Sequence, residues 1–488
     1  MKSILKSTAI LSSGSLVTIL VGLAAAKGWA ILLGPSGLGF MGLLQSLVGL
    51  TSLIAGMGVG TGVVRMGASA LERNDSLEVA SLHRAAWLLL IVLGSIATLL
   101  MALFRTPIST AMLGGPEHGD LVLLMALATF SSMAAGVATG MLNAHHRVSA
   151  LARLAILNSV LGAGISLALV WALRERGIAL AIIAGTFVHF LIAYLLLSRN
   201  VTVDSSVQAA LQDVLRSAKS LLQFGGPYTA SMLVGTGVQL ALPALIVHSL
   251  GTEGVGFYRA AVAVSINYLS FLLVSMGQDY YPRISAASNR PAELVHLVNQ
   301  QHRLVMLLGA PMILGTLAMA PYLVPLIYSA EFTPTIELLE WQLIGDLFKF
   351  ASWTMGYILL ARNRTLSFFC AELSFGAAIL ATSWLSMQWF GLAGLGMAFV
   401  ITYAVLYLIN FLLVRHEIKF VLTLANQRIL LSALAAALIV RALPFLGLEH
   451  WRTPLALTIA LIAGLVSVTV IWREFARDAV KERIVVAD

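Results

Sequence analysis

The chain is 488 residues long, 59% hydrophobic and 11% charged, with a formal net charge of +8 and a mean hydropathy of +0.92. Soluble domains carry about 25% charged residues, so this composition excludes a soluble enzyme and a nucleic-acid-binding protein and points to an all-α polytopic membrane protein. Its apolar runs are about 20 residues long, enough to cross a bilayer as helices, not the alternating runs of about 10 that build a membrane β-barrel. One cysteine, Cys370, rules out an internal disulfide and a thiolate metal cluster.

The N-terminal segment imitates a signal peptide, with Lys2 and Lys6 ahead of an apolar run that reaches Ala24, Ala25 and Ala26. That run continues through Leu33, and a matching run occupies residues 221–250 in mid-chain, so it is read as the first span. Spans are expected near 9–33, 40–64, 85–104, 121–142, 152–173 and 178–198, then near 222–249, 258–278, 304–328, 338–361, 366–387 and 392–414. The two sets of six are copies. Residues 33–40 read LGPSGLGF and residues 250–257 read LGTEGVGF, each a glycine-rich turn between two apolar runs. At offsets between 214 and 219, His83 and Arg84 match His302 and Arg303, Pro107 matches Pro325, Arg147 matches Arg364, Gly177 matches Gly391 and Arg199 matches Arg415. The expected organisation is a six-helix lobe at 1–199, a linker at 200–220, a second six-helix lobe at 221–415 and an additional region at 416–488. An even number of spans per copy makes the repeat parallel, not inverted. Two further apolar runs, near 429–447 and 454–472, have no partner in the repeat. They raise the expected total to about 14 transmembrane helices, with 12 as the alternative because Arg441 and Pro444 interrupt the first of them.

In the linker, Val207, Leu211, Val214, Leu215 and Ala218 recur at helical spacing among Gln212, Arg216 and Lys219. That is the pattern of an amphipathic helix along the cytoplasmic interface, and Ser205 with Gln208 is spaced as a capping box at its start. With the N-terminus inside, 22 of the 30 Lys and Arg residues fall on the cytoplasmic side and 4 on the other. The positive-inside bias then puts both termini in the cytoplasm, the C-terminal one as a basic tail.

The chain has no GxxxxGK[ST] phosphate loop, no HExxH, no GxSxG and no cysteine cluster. No enzyme activity, cofactor or metal is expected, and without a nucleotide domain the energy for transport comes from a gradient or from the flux of the substrate. Attention moves to ionisable residues within spans, each costing roughly 2.5–3.5 kcal/mol on insertion scales. Lys349 lies about twelve residues, roughly 18 Å, from either end of its span. Asp346 shares its helix face, so the two are read either as a structural ion pair or as groups for substrate binding and proton coupling. Lys27 and Arg259 lie nearer span ends, where snorkelling is the alternative to binding substrate. Glu372 sits roughly 12 Å deep; desolvation there suits proton coupling, and an interhelical hydrogen bond is the alternative. Arg153, Arg441, Gln45, Gln239, Asn267 and His189 read as glue between helices. At the repeat offset Lys27 faces Ala244, Arg259 faces Gly42, Lys349 faces Ser131, Asp346 faces Ala128 and Glu372 faces Ala155. The copies share their turns but not their buried charges, which favours function over architecture.

The motifs GPSGLGF at 34–40 and AGMGVGTGVVR at 55–65, with EGVGFYRAAVAVSINYL at 253–269 and YYPRIS at 280–285, resemble the Wzx-type flippases of lipid-linked oligosaccharides, in the polysaccharide-transporter branch of the MOP superfamily. The resemblance implies two lobes around a cavity and an ion-coupled, alternating-access flippase. The implied substrate is an undecaprenyl-diphosphate-linked oligosaccharide, an O-antigen or related unit of lipopolysaccharide biosynthesis, moved from the cytoplasmic to the periplasmic leaflet of the bacterial inner membrane. Membrane lipids are implied partners, and direct binding of a polysaccharide polymerase or ligase stays open. On this reading Lys27, Arg259 and Lys349 are the candidates to pair with the diphosphate, and Asp346 and Glu372 to couple the ion. Shorter relatives stop after the twelfth helix, which leaves residues 416–488 without an implied role, and Asn267 stands where some relatives are expected to carry a carboxylate. Two rivals remain beside it. A cation-coupled small-molecule or drug antiporter of the same superfamily would share the fold but is expected to have an acidic lumen; a membrane glycan polymerase or ligase is expected to carry a large outer loop with catalytic residues.

Overall fold

A computed structural model describes the backbone over residues 2–201, 209–362 and 364–487. Every regular element among the described residues is helical. The chain separates into two compact units, one of residues 1–256 with 327–329 and one of residues 257–326 with 330–488.

In the first unit, α1 (Lys2–Gly56) carries both of the first two expected spans with no loop between them. Its direction changes at Gly34 alone (φ 65°, ψ −173°), in a region of backbone space that is essentially glycine-only. Pro35 then opens the next limb, at a position where its missing N–H leaves nothing unsatisfied. A second break follows at Met57 and Gly58, both with positive φ, so the expected span 40–64 is divided before α2 (Val59–Glu72). Asp75 caps α3 (Ser76–Leu103) by accepting the Glu78 N–H at 2.9 Å. The order continues with α4 (Arg105–Leu113), α5 (Gly119–Ala144), α6 (Val148–Leu157), a π-helical turn at Asn158–Gly162, α7 (Ala163–Leu173), α8 (Gly177–Asn200), α9 (Leu211–Gly235) and the first part of α10 (Gly237–Val262). Thr236 interrupts what was expected as one span at 222–249. The amphipathic pattern of the linker runs straight into α9: Val214 and Ala218 pack into the core with Val63, Met141 and Leu221, while Leu211 and Leu215 are exposed. Val207 and the capping pair of Ser205 and Gln208 lie outside the described residues.

The second unit holds the end of α10, a π-helical turn at Ala263–Tyr268, α11 (Ser270–Ala286), most of α12 (Pro291–Ile327), α13 (Thr335–Ala361), α14 (Thr365–Ile418), α15 (Leu424–Ala442) and α16 (Glu449–Ala487). Tyr280, Ile284, Leu294, Ile358, Val414 and Phe420 form one of its cores.

The repeat is written into the backbone. Gly251 (φ 69°, ψ −174°) repeats the kink of Gly34, and Arg364 (φ −83°, ψ 51°) before α14 repeats Arg147 (φ −81°, ψ 60°) before α6. The kink inside α14 at Gly391 (φ 54°, ψ −131°) is matched by Arg174 (φ 54°, ψ −134°), not by Gly177. All three pairs stand 217 positions apart. Gly177 instead corresponds to Gly394: each presses against a carbonyl eight residues back, that of Leu169 or Ser386, where a Cβ has no room. Matching by glycine identity misassigned this pair because one copy makes the kink with a non-glycine residue. The two glycine turns also meet each other: a Cβ on Gly39 would strike the Thr252 carbonyl and one on Gly256 the Pro35 carbonyl, while Ser36 and Thr252 hydroxyls hydrogen-bond at 2.8 Å.

Ten helices among the described residues are long and apolar enough to cross a membrane, and the protein is multi-pass. They do not map one to one onto the expected spans. Val17–Gly56, Val148–Asn200 and Leu366–Ile418 run 40, 53 and 53 residues, about twice a crossing length of 20, because glycine and arginine kinks replace the expected loops. Large apolar side chains such as Trp171, Leu326, Trp389 and Leu465 are more than two-thirds exposed, a surface suited to lipid and not to water.

Candidate functional site

The 27-residue helix α13 places Asp346 and Lys349 one turn apart near its middle. Asp346 is fully enclosed, with one carboxylate oxygen 3.5 Å from Lys349 Nζ. The other accepts a hydrogen bond from Ser265 Oγ at 2.7 Å. Ser265 stands in the π-helical turn after α10, and such turns recur where a helix is adapted to a site. Tyr403 of α14 joins the group: it lies within electrostatic range of Asp346, of Glu372 on the same long helix, and of Tyr258. Phe399 and Phe375 pack on its ring, with centroids 4.5 and 4.9 Å away. Arg259 adjoins Tyr258 and interacts with it. Four of the five residues singled out from the sequence thus belong to the second unit: Asp346 and Lys349 meet directly, and Glu372 shares with Asp346 only its influence on Tyr403. Lys27 belongs to the first unit, half-buried on α1.

A carboxylate beside an ammonium in an enclosed space has a definite chemistry. The pair is neutral as it stands; a proton or cation on Asp346 releases Lys349 to an anion, and an anion on Lys349 leaves Asp346 to a cation. No group of three His, Cys, Asp or Glu side chains among the described residues is placed to hold a metal.

The repeat assigns this cluster a counterpart. The caps of α5 at His145 (φ −84°, ψ 11°) and of α13 at Arg362 (φ −91°, ψ 10°) match and are again 217 apart, so Lys349 corresponds to Ser132 and Asp346 to Thr129, one residue on from the pairing expected from offsets alone. In the first unit, Thr129 hydrogen-bonds Thr51 at 2.9 Å. The positions equivalent to Tyr258, Ser265, Lys349, Glu372, Phe375, Phe399 and Tyr403 are Met41, Val48, Ser132, Ala155, Asn158, Ile182 and Thr186. All seven line a single cavity of about 800 Å³ within the first unit. Gln45 and His189, read from sequence as interhelical glue, are on its wall, whereas Lys27 is not.

Arg441, read from sequence as glue, ties helices together. Its guanidinium meets Glu337 at 2.7 Å and Glu340 at 3.1 Å and lies 5.5 Å over the Trp341 ring; Arg452 of α16 forms a second ion pair with Glu340. At their other end, α15 and its approach are tied to α12 through Asn299, which accepts from the Thr423 N–H at 2.9 Å and whose carbonyl accepts from Asn426 Nδ2 at 2.8 Å. Sequence reasoning missed Ser265, Tyr403 and Glu340. Only Glu340 gave a signal, as a carboxylate inside an expected span. The Asn267 side chain is outside the described residues.

A family model described as polysaccharide biosynthesis protein matches residues 29–337. The Lipid III flippase of Escherichia coli (strain K12) is 24% identical over 415 residues, which cover 83% of this chain and 96% of that protein; the Lipid III flippase of Shigella flexneri matches to the same extent. Among solved structures, that of the Lipid II flippase MurJ in an inward closed conformation has a TM-score of 0.72 at 13% identity, covering 96% of this chain and 100% of that one. An inward-facing multidrug resistance MATE family transporter of the MOP superfamily has a TM-score of 0.67 at 18% identity, covering 86% of this chain and 99% of that one. These likenesses establish a fold shared with MOP-superfamily transporters.

Proposed function

This chain belongs to the polysaccharide biosynthesis protein family, and from that premise we propose that it is a flippase of a lipid-linked glycan. Its substrate is an undecaprenyl-diphosphate-linked oligosaccharide, an O-antigen or related repeat unit, which it moves from the cytoplasmic to the periplasmic leaflet of a bacterial inner membrane by ion-coupled alternating access. The lobes that alternate are the two six-helix copies at 1–199 and 221–415. The relatives that are flippases of Lipid III and Lipid II support the substrate class.

The observation that carries the reading is the pair of Asp346 and Lys349, with its 3.5 Å separation and full enclosure of the carboxylate. An ammonium is a point charge well suited to phosphate, and charge-assisted bonds to phosphate are strong when desolvated. In the empty transporter Asp346 neutralises Lys349. A cation or proton on Asp346, with Glu372 and Tyr403 at hand, frees Lys349 for the diphosphate, and departure of the substrate lets the pair reform. Ion and substrate then favour each other reciprocally. Lys27 and Arg259 serve as further contacts to the diphosphate.

The test uses purified protein in proteoliposomes with an undecaprenyl-diphosphate oligosaccharide whose leaflet is read by an impermeant enzyme or lectin. Lys349→Ala is expected to slow translocation at least tenfold, and Asp346→Asn to remove its dependence on an imposed ion gradient. Unchanged translocation in Lys349→Ala, with the protein monodisperse, makes Lys349 structural. No translocation by wild type under either gradient directs attention to the second reading, a cation-coupled small-molecule antiporter. That reading rests on the two carboxylates near Tyr403 and on the MATE-like fold, and lipophilic-cation export from the same vesicles tests it.

A further inference from the structure

The cavity of the first unit is the repeat's counterpart of the charged cluster, and its chemistry is different. Its volume of about 800 Å³ is that of a small-molecule site. No Lys, Arg, Asp or Glu lines it; its polar groups include those of Gln45, Thr139, Asn158, Ser159, Thr186 and His189, with the Trp29 indole among them. Resting on the flippase reading, we propose that this cavity binds neutral sugar rings of the transported glycan, leaving the diphosphate to the charged residues.

Three observations carry this. First, the Trp29 Nε1–H and the Thr139 hydroxyl are enclosed with no hydrogen-bond partner. Such groups disfavour an apolar occupant, which would leave them unsatisfied, and an ionic occupant would find no counter-charge. A polyhydroxylated ring suits them, since each hydroxyl both donates and accepts and the ring's C–H face can lie on an indole. Second, the space is not a by-product of the fold. At the equivalent positions the second copy places Phe375, Phe399 and Tyr403, where this cavity has Asn158, Ile182 and Thr186. Third, the π-helical turn that begins at Asn158 puts an amide and the Ser159 hydroxyl on the wall; the π-helical turn that presents Ser265 to Asp346 stands at a different place in the repeat.

The experiment compares two soluble short-chain probes, farnesyl diphosphate and farnesyl diphosphate bearing a neutral trisaccharide, by microscale thermophoresis on the full-length protein in nanodiscs. Wild type is expected to bind the glycosylated probe at least tenfold more tightly. Asn158→Phe with Thr186→Tyr, which copies the other unit's bulk into the cavity, is expected to bring the two affinities within twofold of each other without changing that for farnesyl diphosphate. If this variant does not elute as a single species, Trp29→Phe with Thr139→Val, close in shape but without the two donors, is expected to lose at least threefold of the sugar increment. A full increment in the folded variant overturns the proposal. Equal binding of both probes by wild type also overturns it and leaves the flippase reading standing; binding of neither probe by wild type defeats both.

Discussion

Gly34 and Gly251 hold φ near 65–69° and ψ near −173°, a conformation that costs other residues about 1–3 kcal/mol. At Gly251 a Cβ would meet nothing within 4 Å, so substitution there isolates the backbone from packing. Gly251→Ala is expected to destabilise by about 1–3 kcal/mol, read as a lower melting temperature in detergent with transport retained at permissive temperature; an unchanged melting temperature would show that the kink is not strained for alanine. Arg174 bears a comparable strain where the other copy has Gly391, and its guanidinium donates to the Leu32 carbonyl at 3.3 Å. At this scale the sequence was legible wherever chemistry and conformation coincide, as in the glycine turns. It was illegible at Arg174, because nothing in the identity of an arginine announces a positive φ.

Helix α13 carries two tasks on two faces. One face presents Asp346 and Lys349; the other, near the start of the helix, receives α15 and α16 through Glu337 and Glu340. Glu340 is 2% exposed and meets two guanidinium groups, and removing one partner from such a buried set costs about 3–5 kcal/mol. Glu340→Gln is therefore expected to lower stability by about 3 kcal/mol, the low end of that range because Glu337 still pairs with Arg441; thermal unfolding followed by scattering reads it, and a variant as stable as wild type would mean that the C-terminal pair is held by apolar packing alone. The close pair of Asp346 and Lys349 could be read from a spacing of three because a helix makes that contact local. Ser265, Glu372 and Tyr403 come to it from other helices, and contacts between distant segments leave no periodicity to detect. Arg441 was recognised as a binding element between helices, whereas its partners Glu337 and Glu340 were not.

For the whole molecule, the distribution of charge supplies the prediction. With 22 of 30 basic residues on one side of the expected spans, the positive-inside bias predicts that both termini are cytoplasmic. Alkaline phosphatase fused after Gly115 is expected to be active and the same reporter fused after Asp488 inactive, with a green fluorescent protein fusion showing the converse; the opposite pattern would invert the direction of transport. The duplicated architecture was readable from two glycine turns, yet the helix boundaries were not, since kinks within continuous helices stand where loops were expected. Duplication has also not kept the same bulk at matched positions. Tyr403, Phe375 and Phe399 stand in one copy where Thr186, Asn158 and Ile182 line open space in the other. An inhibitor shaped to that space would saturate at one molecule per chain, and resistance to it would arise most directly through codon changes that restore the bulk its sister copy already carries.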